Sequence, residues 1–146
     1  MKKEKMTVGF AELTSYGKIV KELGSEKSID ILREAFKVMG DSIINNGGKI
    51  HKYIGDSILF TFIDAKKAIK ASKEIVGSYS KKIGSSVIKP YVSLATGEVV
   101  VCNIGHPSNM VEDIVGETVN KAAILSREAG RNESKLAFCD ETKKYE

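Results

Sequence analysis

Cysteine is scarce in this 146-residue chain, and Cys102 and Cys139 stand apart without CxxC spacing. That argues against a cysteine-built metal cluster and points to a reducing cytoplasm. Long apolar runs are absent too: nothing approaches the roughly 20 residues that span a bilayer, so no membrane segment is expected. The lysines of MKKEKMTVGF are followed by no long apolar stretch, which argues against a signal peptide. No repeat or low-complexity segment appears. Charge of one sign is barely in excess, at +4, with lysines spread along the chain. The expectation is a mildly basic surface and no nucleic-acid partner. What remains is ordinary globular composition, 42% apolar and 29% charged, at a length that fits one domain over residues 1–146 with a real core.

The stretch Lys49–Phe62, KIHKYIGDSILFTF, organises the rest. Two β-prone runs flank Gly55-Asp56, which predicts a tight hairpin with the Asp56 carboxylate at its tip. Asp and Gly also favour turns for backbone reasons alone, so the neighbours of Asp56 decide its meaning.

In chain order, Met6–Ala11 predicts a strand with Glu12 at its C-terminal end, followed by a mixed stretch, Leu13–Leu23. Ile29, Leu32, Phe36, Met39 and Ile43 step by three and four, one face of a helix. Ser25 is its expected N-cap and Asn45-Asn46-Gly47-Gly48 its stop. After the hairpin, Asp64 caps a second helix whose apolar face continues to Ile83, with Gly84 ending it. Ile88–Thr96 and Glu98–Ile104 read as a strand pair across Thr96-Gly97. Beyond a loop with Pro107, Thr118–Ala129 predicts a third helix and Lys135–Cys139 a short strand.

The order β-α-β-β-α-β-β-α-β begins with the split βαβ pattern. It predicts an α+β fold: a ferredoxin-like antiparallel sheet with helices on one face, a βαββαβ core plus an extra strand, helix and strand. In that topology the strands ending at Glu12 and at Ile54 run parallel, with the third strand between them. Glu12 and Asp56 are then expected to meet at one sheet edge, as a pair of surface acids or as a site for a hard divalent cation carried by phosphates.

Four motifs in order resemble the class III nucleotide cyclase homology domain over nearly the whole chain. They are Val8-Gly9-Phe10-Ala11-Glu12-Leu13-Thr14-Ser15-Tyr16-Gly17, then Gly47-Gly48-Lys49-Ile50-His51-Lys52-Tyr53-Ile54-Gly55-Asp56. The third is Thr96-Gly97-Glu98-Val99-Val100-Val101-Cys102-Asn103-Ile104-Gly105 and the fourth Gly116-Glu117-Thr118-Val119-Asn120. The turn that marks diguanylate cyclases is absent; the tip reads Ile54-Gly55-Asp56-Ser57.

The resemblance implies roles. Glu12 and Asp56 take the positions of the two metal-binding carboxylates, and the Leu13 carbonyl that of a backbone ligand, for a pair of Mg²⁺ or Mn²⁺ ions. Lys52 and Asp113 take those of the adenine-reading pair, and Asn120 that of the ribose- and substrate-orienting Asn. The implied substrate is ATP, cyclised to cyclic AMP and pyrophosphate at sites shared between two head-to-tail copies. This chain carries both halves, so a homodimer is the natural assembly.

Three departures from the family pattern predict low or lost activity. Ile124 stands where the family places an Arg facing the α-phosphate, and losing one such donor typically costs about 10²–10³ in rate. Arg127, one turn further on, is the first substitute to test. Glu12 is one methylene longer than the usual Asp. The expected phosphate-binding Lys finds no match, since Lys143 and Lys144 lie too early. The alternative reading is an inactive cyclase-homology module for nucleotide binding or regulatory dimerisation.

Overall fold

The computed structural model describes all 146 residues. Its frame is a strand that is apolar on both sides. In β1 (Lys2–Leu13), Met6 and Val8 enter one buried cluster while Ala11 and Leu13 enter another. Alternation puts the two sets on opposite faces. β1 pairs antiparallel with β3 (Ser57–Phe62) and, along its whole length, with β6 (Pro90–His106). β2 (Lys49–Ile54) borders β3, and β7 (Asn109–Val115) borders the far half of β6, giving the order β2-β3-β1-β6-β7. β8 (Leu136–Phe138) joins the near half of β6 in parallel. β1 and β2 therefore run parallel with β3 between them, as the split βαβ pattern requires.

Since both faces of β1 are apolar, both need cover. On one face α1 (Tyr16–Leu23), α2 (Ser25–Asn45) and α3 (Ala65–Val76) enclose Ala11, Leu13, Ile19, Met39, Phe60 and Leu94. On the other, α4 (Glu117–Arg131) lays Ala122 against Val8, Leu59, Ala95 and Val99. The expectation of helices on one face is thus corrected. α5 (Asp140–Lys143) packs beside β6. No helix is long and apolar enough to cross a membrane.

Local signals were followed in places and overridden in others. The Gly55-Asp56 tip forms as expected, with Gly55 at φ 57°. Asp64 caps α3, accepting from the N–H groups of Lys66 at 2.9 Å and Lys67 at 3.4 Å. Ser25, expected as a cap, is instead the first residue of α2; Gly24 precedes it, and no side chain caps the helix. The mixed stretch after Glu12 contains α1, and β1 itself runs on to Leu13.

Two boundaries are corrections. α3 stops at Val76, because Gly77 and Ser78 donate to the Glu74 and Ile75 carbonyls. Lys81–Ile83 becomes β4, paired with β5 (Ser86–Ile88), and Tyr79 and Lys81 reach Glu34 on α2 at 2.8 and 3.3 Å. Thr96-Gly97 is no turn: β6 runs straight through it, and its hairpin partner is β7. Gly97 has another use. A Cβ there would lie 2.6 Å from Thr118 Oγ1, so its bareness lets the start of α4 approach the sheet.

Gly9 is another close approach: an added Cβ would lie 2.2 Å from the Phe60 ring. Gly9→Ala is expected to cost about 1–3 kcal/mol by overpacking, read as a lower denaturant midpoint at unchanged m-value. Gly17→Ala, which meets nothing within 4 Å, is expected to show no such loss.

Candidate active site

The turn after β2 sets Asp56 against the end of β1, where its Oδ2 accepts the Leu13 N–H at 3.0 Å. Glu12, Leu13 and Asp56 are thereby brought together, as the topology predicted. Burial pushes the Asp56 carboxyl above its ordinary range; the Leu13 N–H opposes this, and the nearby Glu12 charge adds to it. Neither carboxylate forms an ion pair with a basic side chain.

The two acids differ in their surroundings. Ser57 Oγ donates to Glu12 Oε1, and Ser126 Oγ, on α4, donates to Oε2 at 2.5 Å. Tyr91, the register partner of Glu12 on β6, lies beside it. Burial, and then the Glu12 and Asp56 carboxylates, hold the Tyr91 phenol far above its ordinary range. Asp56 has no side-chain donor. Its oxygens, beside the end of β1 and paired with no basic side chain, fit a hard divalent ion. Glu12 is the more engaged of the two, since each of its oxygens already accepts a hydroxyl. No cluster of three or more acidic, histidine or cysteine side chains adds further ligands.

A second pairing joins the sheet's outer strands. Lys52 on β2 and Asp113 on β7 stand on the two outer strands of the order, with three strands between them, yet Nζ and Oδ2 lie 2.7 Å apart. Lys49 and Glu112 repeat the link at 3.5 Å. The sheet therefore curls until its edges meet. Burial alone would raise the Asp113 carboxyl, but Lys52 and the Ile114 N–H outweigh it and the net effect is downward.

On α4, Thr118, Ala122, Ser126 and Ala129 point into the protein. Asn120, Ile124 and Arg127 form the outward stripe, with Ile124 73% exposed. Asn120 thus shares a side with Ile124, as helical spacing predicts, and joins neither carboxylate group. Sequence reasoning missed Ser57, Ser126 and Tyr91. The only local signals were Ser57's place beside the tip and Ser126's place on the buried stripe of α4.

The Asp56 shift has a consequence for stability. A carboxyl whose folded pKa is raised contributes fully below its unfolded pKa and loses that contribution as pH rises through the folded value. In metal-free buffer, Asp56→Asn is expected to melt above the unmodified protein near pH 7. The advantage should vanish near pH 3, as thermal scans across that range would show.

No protein-family profile matches the chain. An adenylate cyclase of Glutamicibacter nicotianae is 31% identical over 120 residues, covering 82% of this chain and 27% of that protein. The chain spans less than a third of the curated relatives it matches. Among solved structures, a bacterial light-regulated adenylyl cyclase superposes with a TM-score of 0.89 at 21% identity, over 99% of this chain and 45% of that one. The guanylate cyclase domain from Catenaria anguillulae in complex with GTP gives 0.79 at 20% identity, over 99% and 84%. This agreement, with adenylyl and guanylyl cyclases alike, gives the chain the fold of the nucleotide cyclase catalytic domains.

Proposed function

We propose that the chain binds ATP together with a divalent cation, Mg²⁺ or Mn²⁺, at sites shared by two head-to-tail copies, and cyclises it slowly. One observation carries the choice of base: Lys52 and Asp113, 61 positions apart in sequence, lie 2.7 Å from each other. Similarity of fold extends to enzymes for both purines, so it does not choose between them. A Lys donor beside an Asp acceptor matches adenine, whose edge offers an acceptor nitrogen next to an amino donor. Guanine presents the opposite pattern.

The remaining groups divide between copies. Asn120 faces outward on α4, away from the chain's own Asp56 tip, so it would orient ribose bound against a second copy. Ile104, Met110 and Val111 on the β6–β7 hairpin are exposed apolar side chains suited to that contact. Asp56 and the Leu13 carbonyl would hold the cation. Bound there, the ion would neutralise phosphate charge. Ile124 gives the α-phosphate no donor, so ground-state binding would survive while turnover suffers. That same absence favours the second reading, a nucleotide-binding or regulatory dimerisation module without turnover.

ATP is expected to bind more tightly than GTP, and Lys52→Ala to erase the preference; equal binding of both nucleotides by the unmodified chain would overturn the base assignment. Ile124→Arg is expected to raise kcat more than it changes KM, the signature of a contact made in the transition state. Cyclic nucleotide production from ATP and GTP with Mg²⁺ or Mn²⁺ measures both. Turnover already at about 1–10 s⁻¹ in the unmodified protein would make Arg127 the next residue to replace.

A further inference from the structure

The first two strand ends carry two carboxylates that look equivalent in sequence and are not equivalent in structure. Glu12 touches three other elements. Ser57 at the start of β3 holds one oxygen, and Ser126 in the middle of α4 holds the other at 2.5 Å. Tyr91 of β6 lies opposite it in register, and its ring packs 3.4 Å from where a Cβ on Gly130 of α4 would sit. Ser126 belongs to the buried face of α4, between Ala122 and Ala129. The extra methylene of Glu over Asp gives the reach to that helix. Asp56 is tied only to the Leu13 N–H.

We propose that Glu12 is a latch fastening α4 to the ends of β1 and β3, which leaves Asp56 as the one side-chain carboxylate free to take a divalent cation. A hydrogen bond to a charged acceptor is about twice as strong as a neutral one. A cation drawing on Glu12 would meet oxygens already engaged by two such bonds, whereas at Asp56 it meets an anion short of donors. Glu12 is thus a positioning residue: through Ser126 it sets the helix whose outward face bears Asn120. The cation half of this inference rests on the nucleotide reading above; the latch half does not.

Two measurements on the full chain test it. The first is unfolding in metal-free, nucleotide-free buffer for Glu12→Gln, Ser126→Ala and the double variant. The Ser126→Ala change is expected to lower the folding constant at least fivefold in the unmodified background, and at least threefold less in the Glu12→Gln background. Equal effects in both backgrounds would overturn the latch. The second follows free Mn²⁺ by its paramagnetic resonance signal with α,β-methylene ATP present. Glu12→Gln is expected to keep Mn²⁺ affinity within twofold, while Asp56→Asn loses at least tenfold. A tenfold loss in Glu12→Gln would restore Glu12 as a ligand and overturn the assignment. Failure of the unmodified chain to bind Mn²⁺ with the nucleotide would refute the nucleotide reading and the cation half together, and the unfolding cycle would still decide the latch.

Discussion

The register of β1 fixes nearly everything else. Paired with β3 on one side and β6 on the other, it assigns each residue from Met6 to Leu13 to a face. The same alternation that sends Ala11 and Leu13 under α2 and α3 sends Val8 and Glu12 toward α4. A slip of one residue would turn the Glu12 carboxylate into the main apolar core and bring Leu13 up to Ser126. Alternation between two buried faces excludes that slip, because neither cluster tolerates an unpaired charge. Register also presents the Leu13 N–H to Asp56. Core packing and the chemistry at the sheet edge are therefore one constraint.

Much of this was legible in the sequence where the signal was local. The Gly55-Asp56 tip and the Asp64 cap follow from turn chemistry and capping, and the structure shows both; periodicity found the helix α2 and its buried Met39 and Ile43, but Ile29 of the expected stripe is exposed and Ile31 and Ala35 take the buried face. The place of β3 between β1 and β2 followed from topology, which needs only the sequence of elements. Failures came where a residue's reason lay elsewhere in space. Gly97 read as a turn because glycine usually marks one, but its role is to let Thr118 approach. The helical spacing of Tyr79 and Ile83 was outweighed by Gly77, Ser78 and the pull of Glu34 on Tyr79 and Lys81. Glu12 and Asp56 could be brought to one edge by counting strands. That Ser126 would reach across 114 positions to separate their roles could not.

On the proposed reading, the Lys52–Asp113 pair would be held ready for a nucleobase without being locked. A nucleobase reading both groups has to replace their mutual contact with contacts of its own. Lys52 is 43% exposed and Asp113 18%, so the pair is screened by water on its lysine side. Pairs of that kind are worth about 0–1 kcal/mol, a small cost against the loss a buried, well-matched base edge suffers when wrongly paired. The link also spans the sheet's two outer strands, so it keeps donor and acceptor at the separation set by the curl even without ligand. Preorganisation of this sort favours selectivity in the ground state. On the same reading it would do nothing for a reacting phosphate, which would depend on α4, where the outward stripe offers Asn120 and then the bare side chain of Ile124. On that reading recognition and turnover would reside on different elements of this fold, and a sequence could keep the first while losing the second.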